Sequence, residues 1–437
     1  MEQNKIKILS MSDSFTAPTG YGRVIREIVK RIDPERFDWT HFGKQDVGQP
    51  RWQSNNLEDY FKPIEQIYQE SKDQRFSQDL KSFAKWYSGK FTKTTTIGGG
   101  QDGGDILTYH LNQTKPDFLF ILLDLWMYNF ILDKDITPTK LITYYPIDGI
   151  PVPTGCHRHL LKADYPVAMS EFGKKTTLEH EYYESTDGKY YKLSEQLQKK
   201  ITVIPHGVNT KKYAPLSPKK KQEIREQEGT TDQFVIGCVS RNQPRKQMPQ
   251  LYKAFAEFAK GKNNVTLHMH TDVKDPQGYN LIDLANQLKI QDKVRYTKIN
   301  SYKYGLTDDE MNTVYNLFDL HTIPTTGEGF GIPIIESMSC GIPNLLTDYT
   351  TSAELIGSNW ESGALIPCES LLIGSMNVYR GIPSLKYYIE YFQYFYDNPS
   401  ELKKMGKEAR QRALKYDWDI VVKQWESLFE RAKNDKA

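Results

Sequence analysis

Apolar positions along the chain fall into short runs with two spacings. Lys5–Met11 has the dense apolar character of a strand. Val24, Ile25, Ile28, Val29 and Ile32 then recur at i, i+4 spacing, which predicts a helix over Arg23–Ile32. Strand-like runs follow at Phe37–Phe42, Phe118–Leu123, Leu141–Tyr145, Pro166–Ser170 and Ile201–Pro205. A second series opens at Phe234, with strands Phe234–Ser240, Val265–His270, Val294–Thr297, Leu320–Pro324 and Asn344–Thr347. Helices Pro249–Lys260, Tyr279–Leu288, Asp308–Phe318 and Pro333–Ser339 fall between them. Thr307-Asp308-Asp309-Glu310 is a capping box for the third of these. The tail from Ile389 to Ala437 reads as helical. Such alternation predicts an α/β chain with one doubly wound parallel sheet in each half.

Two stretches break the rhythm. Asn209–Asp232 is rich in Lys and Pro, a linker signature that sets the boundary between the halves near His206–Pro215. A polar stretch at about 49–104 interrupts the first half and ends in Gly98-Gly99-Gly100-Gln101-Asp102-Gly103-Gly104. It lacks the preceding strand and the following Lys-Ser/Thr of a P-loop, so it reads as a loop tip.

Composition narrows the function classes. The 437 residues carry 57 Lys and Arg against 55 Asp and Glu, a net charge of +2. That balance excludes a DNA-coating polycation. Four cysteines, none in a CxxC pair, argue against structural zinc and fit a reducing compartment. The longest apolar run, Phe118–Leu123, falls far short of the ~20 residues of a membrane span. The expectation is a soluble, cytoplasmic protein of unknown oligomeric state. Locally the charge is uneven, because Lys189–Arg225 holds ten Lys/Arg and two Glu. That segment reads either as a solvated linker and helix face or as a contact for an anionic partner. Such a partner would be a membrane surface met peripherally, or nucleic acid.

The strongest chemical signal is Gly327-Glu328-Gly329-Phe330-Gly331-Ile332-Pro333-Ile334-Ile335-Glu336, between a strand and a helix. Glycines let a ligand approach the backbone, and the helix start offers free N–H groups to a phosphate. Glu328 and Glu336 beside such a site would accept sugar hydroxyls rather than repel the anion. Ser240-Arg241-Asn242-Gln243-Pro244-Arg245-Lys246 also follows a strand. Ligands of open α/β sheets bind beyond the carboxyl ends of strands, so Arg241 and Lys246 are expected in the same crevice as Glu328. There they suit a diphosphate leaving group. Thr19-Gly20-Tyr21-Gly22-Arg23 makes a strand-to-helix turn in the first half. His268 and His270 stand at i, i+2 with no third ligand in sight, so no metal site is expected.

These motifs resemble those of retaining glycosyltransferases. Glu328 to Glu336 is similar to their E-x7-E motif, Arg241 and Lys246 occupy the matching upstream positions, and Ile204–Asn209 resembles their interdomain segment. Tyr416-Asp417-Trp418 and the helix after it resemble their C-terminal end. The chain is identified by resemblance with the GT-B fold and glycosyltransferase family 4, most specifically over Gly237–Ile356. The resemblance implies two Rossmann-like domains facing across a cleft, 1–207 on the acceptor side and 208–415 binding the nucleotide sugar, with 416–437 crossing back as a helix.

It also implies roles. Glu336 would hold the ribose of a UDP- or GDP-sugar, and Glu328 would contact the transferred sugar. Arg241, Lys246 and the amides around Gly329, Phe330, Gly331 and Ile332 would neutralise the diphosphate. Gly20 and Gly22 would border it, and Thr271 and Asp272 would lie near the base. No cofactor is implied, and the absence of a DxD motif at a strand end leaves no metal demanded. The family's first-domain histidine is missing from Tyr144-Tyr145-Pro146-Ile147-Asp148-Gly149. Asp148 either replaces it or is a turn former before Gly149. The implied reaction is glycosyl transfer to an acceptor hydroxyl on a glycan, lipid or modified nucleic acid. A sugar-nucleotide-binding protein without catalysis is the alternative.

Overall fold

The computed structural model describes residues 5–15, 17, 19–44, 94–96, 104–298, 306–357 and 360–435. The predicted insertion at about 49–104 lies outside these residues apart from strand Thr94–Thr96 and Gly104. The glycine run at 98–103 is likewise outside them.

The first lobe is a seven-stranded parallel sheet. Its strands are β1 (Ile6–Asp13), β2 (Phe37–Lys44), β3 (Thr94–Thr96), β4 (Phe118–Leu122), β5 (Lys140–Tyr145) and β6 (Tyr165–Ala168). After a β7–β8 hairpin (Glu181–Glu184 and Lys189–Lys192), β9 (Thr202–Val203) completes it, in the order β3-β2-β1-β4-β5-β6-β9. β4 is buried at all five positions, as a parallel strand covered on both faces must be. The helix after β1 starts at Gly20, not at Arg23. Thr19 accepts a hydrogen bond from the Gly22 amide at 3.1 Å and caps it, bringing the glycines into its first turn.

The second lobe is a six-stranded parallel sheet. It is built from β10 (Phe234–Val239), β11 (Val265–His270), β12 (Val294–Tyr296), β13 (Leu320–Ile323), β14 (Asn344–Thr347) and β15 (Gly363–Ile366), in the order β12-β11-β10-β13-β14-β15. The last strand and a following hairpin, β16 (Cys368–Ile373) with β17 (Tyr379–Pro383), have no counterpart in the hydrophobic pattern above. The helical tail is three helices, Leu385–Asp397, Pro399–Leu414 and Trp418–Asn434. Pro399 opens the second, and the Asp417 carboxylate caps the third through the Asp419 amide at 2.8 Å.

The chain passes between lobes twice, and the two crossings lie side by side. The Val208 amide donates to Tyr416 O at 2.8 Å, and the Trp418 amide donates to Val208 O at 3.2 Å. A Cβ at residue 207 would fall 2.4 Å from the Trp418 ring, so only glycine lets the crossings touch. The last helix then packs on the first sheet. Trp425 meets Phe120 at 5.0 Å and Tyr144 at 4.7 Å, while Phe429 meets Phe37, Trp39 and Phe118. Arg31 pairs with Asp419 at 2.8 Å, and Arg36 Nε donates to Glu430 at 3.0 Å along its edge.

Candidate functional site

The carboxyl ends of both sheets face each other. From the first lobe come the residues after β1, β4 and β5. From the second come those after β10, β11, β13 and β14. This is the topological position at which open α/β sheets bind ligands.

The loop after β13 is held against the first lobe by backbone contact. Gly327 has φ +154°, and a Cβ there would lie 2.0 Å from the Asp148 carbonyl oxygen. A Cβ at Gly329 would lie 2.3 Å from Pro146. Gly331 has φ +105° and forms the N-cap of helix Ile332–Ser339. Gly20 reaches the same helix start, with Ile332 Cδ1 3.7 Å from where its Cβ would be. Gly22 is packed under the Ser14 and Ala17 carbonyls. Phe330 is buried, stacked edge-on against His206 at 5.1 Å, so only its backbone is offered to the cleft.

Glu328 is buried and ion-paired with Lys246, with Arg245 Nη1 at 3.5 Å from its other oxygen. Its amide donates to Thr350 at 3.0 Å. Burial alone would raise this carboxyl, but Lys246 and then Arg245 overcome it and hold the pKa at about 2. Burial lowers the Lys246 ammonium from its ordinary value, and Glu328 opposes that shift.

Arg241 does not join the cluster. Its side chain is 68% exposed and its Nη2 lies 3.3 Å from Asp275. The guanidinium beside Glu328 is instead that of Arg245, which also donates to Gly327 O at 2.5 Å and lies 3.9 Å from Asp148. The physical reason is a 3-10 turn over Pro244–Lys246, which turns Arg245 and Lys246 together toward β13. Asp148 is brought into the site. Its carboxylate pairs with Arg380 of β17 at 2.9 Å, and its carbonyl accepts from the same guanidinium at 2.6 Å.

Four residues given no role from the sequence complete the arrangement. Asp124, just past β4, accepts from Tyr21 at 2.7 Å, and burial raises its carboxyl above the ordinary value. Arg380 stands on the unforeseen hairpin. Arg23 and Tyr315 both reach Glu336, at 2.5 and 2.7 Å. Position after a parallel strand was the available signal for Asp124. Arg23 ends the glycine turn Thr19–Arg23 noted in the sequence, and nothing in local sequence marks Arg380 or Tyr315.

Thr271 is buried, and its Oγ1 has no partner among the described residues. Asp272 accepts from the Lys274 amide at 2.9 Å, capping the turn after β11. The basic segment is dispersed. Lys192, Lys211, Lys212, Lys220, Lys221 and Arg225 each pair with a carboxylate, consistent with a solvated linker and helix face. Among the described residues no helix is long and apolar enough to cross a membrane.

Two facing parallel sheets with the last helix returned to the first define the GT-B glycosyltransferase fold. The second lobe can be placed more narrowly, because residues 220–371 match the family described as glycosyl transferases group 1. The chain is 25% identical over 234 residues to the MMP α-(1→4)-mannosyltransferase of Mycolicibacterium hassiacum, covering 53% of this chain and 48% of that protein. It is 29% identical over 147 residues to the GDP-mannose-dependent α-(1→6)-phosphatidylinositol monomannoside mannosyltransferase of Mycolicibacterium smegmatis, covering 32% and 36%. The chain thus spans about half the length, or less, of these curated relatives. Its fold matches a glycosyltransferase from Rickettsia africae with a TM-score of 0.68 at 15% identity, over 99% of this chain and 100% of that one. Anabaena HepE in complex with UDP gives 0.67 at 16%, over 98% and 100%. At such identities the likeness is one of fold.

Proposed function

We propose that the chain transfers a sugar from a nucleoside-diphosphate sugar to a hydroxyl of a glycan or lipid, with retention of configuration and no required metal. The observation that carries this reading is the buried Glu328–Lys246–Arg245 cluster beside the N-terminus of helix Ile332–Ser339, facing Asp148 across the cleft. A carboxylate held charged in that place accepts hydrogen bonds from hydroxyls of the transferred sugar. Lys246, Arg245 and the helix N-terminus supply positive charge where the diphosphate departs. Arg241, exposed beside Asp275 on the same side of the cleft, adds to that charge once it exchanges that carboxylate for the seated donor.

In the same-face mechanism the bond from C1 to the diphosphate breaks and the bond from C1 to the acceptor oxygen forms on that face. The acceptor proton passes to the leaving phosphate oxygen. Asp148 and Asp124 line the first-lobe side, where sugar and acceptor hydroxyls would lie. Glu336 receives the ribose, and Thr271 offers its unpartnered hydroxyl to the base side.

The test is a screen of UDP- and GDP-sugars for hydrolysis and transfer, run with and without a chelator, followed by NMR of the product anomer. Transfer with retention, insensitive to chelation, is expected. Binding of a donor without transfer or hydrolysis would instead favour a sugar-nucleotide-binding protein.

A further inference from the structure

The carboxylate of Glu336 belongs to the second lobe, but the cation that meets it comes from the first. Arg23, in the opening turn of helix Gly20–Val29, places Nη1 2.5 Å from Glu336 Oε1. Its Nη2 lies 2.8 Å from Asp308 and donates to the Tyr213 hydroxyl at 2.6 Å. Tyr315 donates to Glu336 Oε2 at 2.7 Å. Glu336 is 3% exposed. The other titratable groups around it are Tyr213 of the crossing segment, Asp308 of helix Asp308–Asn316, and Cys340 one turn along its own helix. Arg410 lies beyond, bonded to Ser339.

Each carboxylate oxygen therefore has one protein donor, which leaves a lone pair on each for a vicinal diol. That geometry needs the charged carboxylate, since a protonated one turns an acceptor oxygen into a donor. Burial raises the Glu336 carboxyl above its ordinary value, Asp308 pushes the same way, and Arg23 is the foremost influence opposing them.

We infer that Arg23 is a positioning residue for the donor: reaching across from the first lobe, it orients and charge-balances Glu336 for the ribose hydroxyls. This rests on the ribose assignment of Glu336 above. It makes nucleotide binding depend on the two lobes being together, because the residue that prepares the ribose carboxylate is not on the lobe that carries it.

The test uses the full chain and calorimetric titration with UDP, GDP and inorganic diphosphate. Arg23→Met is expected to weaken binding of the preferred nucleotide about tenfold more at about pH 6 than at about pH 8.5, relative to wild type. Binding of inorganic diphosphate should follow wild type at both, since the phosphates' own titration is common to the two proteins. Arg23→Lys should recover most of the loss at the lower pH. Glu336→Gln should weaken nucleotide binding with no added pH dependence. A pH profile for Arg23→Met parallel to wild type overturns the inference while leaving the ribose assignment standing. Unchanged nucleotide affinity in Glu336→Gln overturns the ribose assignment itself. If Arg23→Met does not fold, Tyr315→Phe removes the other donor and should shift the profile the same way by a smaller factor. A parallel profile there overturns the inference equally.

Discussion

The carbonyl of Asp148 in the first lobe lies so near Gly327 in the second that a Cβ at residue 327 would sit 2.0 Å from it. The glycine also has φ +154°, a region where side chains are strained. Gly327→Ala should therefore push the lobes apart at the loop that carries Glu328. The expected outcome is a loss of about 1–3 kcal/mol in stability and a larger proportional loss of turnover, read by urea denaturation and donor hydrolysis. Full activity in that variant would show that the lobes need not meet here.

Glu328 and Lys246 make an asymmetric pair. Removing the lysine alone leaves a buried carboxylate with only Arg245 nearby, so Lys246→Met should cost about 3–5 kcal/mol. Glu328→Gln combined with Lys246→Met should recover part of that stability and none of the turnover. Glu328→Ala should lower turnover about a hundredfold with the circular-dichroism spectrum intact.

Arg241 and Arg245 should separate cleanly. Arg241 is exposed, so Arg241→Ala should change stability by no more than about 0.5 kcal/mol while turnover falls. Arg245→Ala should lower both, since its guanidinium binds Glu328 and the Gly327 carbonyl. Thermal melts set beside steady-state kinetics make the comparison, and unchanged turnover in Arg241→Ala would remove that residue from the diphosphate site.

Buried histidines give a pH prediction. Burial lowers His41 and His206 to about 3, and His268, His270 and His321 to about 4. These values lie below the unfolded value, so the unfolded chain binds the extra protons. Stability should be fully present above about pH 6.5 and fall as the pH drops toward the folded values, by up to about 1.4 kcal/mol per pH unit for each histidine. Glu328, lowered from 4.5 to about 2, steepens the fall only below about pH 4.5, where the unfolded chain takes up its proton first, and adds little between about pH 5 and pH 8. Urea midpoints between about pH 5 and pH 8 would measure this, and His206→Gln should shallow the slope.

Trp425 ties the terminal helix to the first sheet. It is fully buried against Phe120, Tyr144 and Phe429, so Trp425→Ala should destabilise by about 3–5 kcal/mol. Chemical denaturation followed by circular dichroism would register it.

Most of the sheet framework was readable from periodicity, because a strand buried on both faces needs a continuous apolar run and its covering helix an i, i+4 stripe. Phe118–Leu122 and the helix face Val24, Ile25, Ile28 and Val29 are cases in point. Hairpin β16–β17 escaped notice because its first strand is mostly exposed and shows no burial pattern. The tail read as helical is three helices, the second opened by Pro399 and the third capped by Asp417.

Within the site, the chain order settled which segments carry chemistry: the loop after β10 contains the lysine, and the loop after β13 with the helix it opens contains the two glutamates and three glycines. Local spacing could not choose between Arg241 and Arg245, since a 3-10 turn decides which guanidinium points at Glu328. Nor could it pair Arg23 with Glu336, or Asp148 with Arg380, residues separated by 313 and 232 positions. Those partnerships exist only because two lobes meet. A local motif records what a segment must be to bend, cap or bury itself. Which charge neutralises which across a cleft depends on the packing of elements that are distant in sequence.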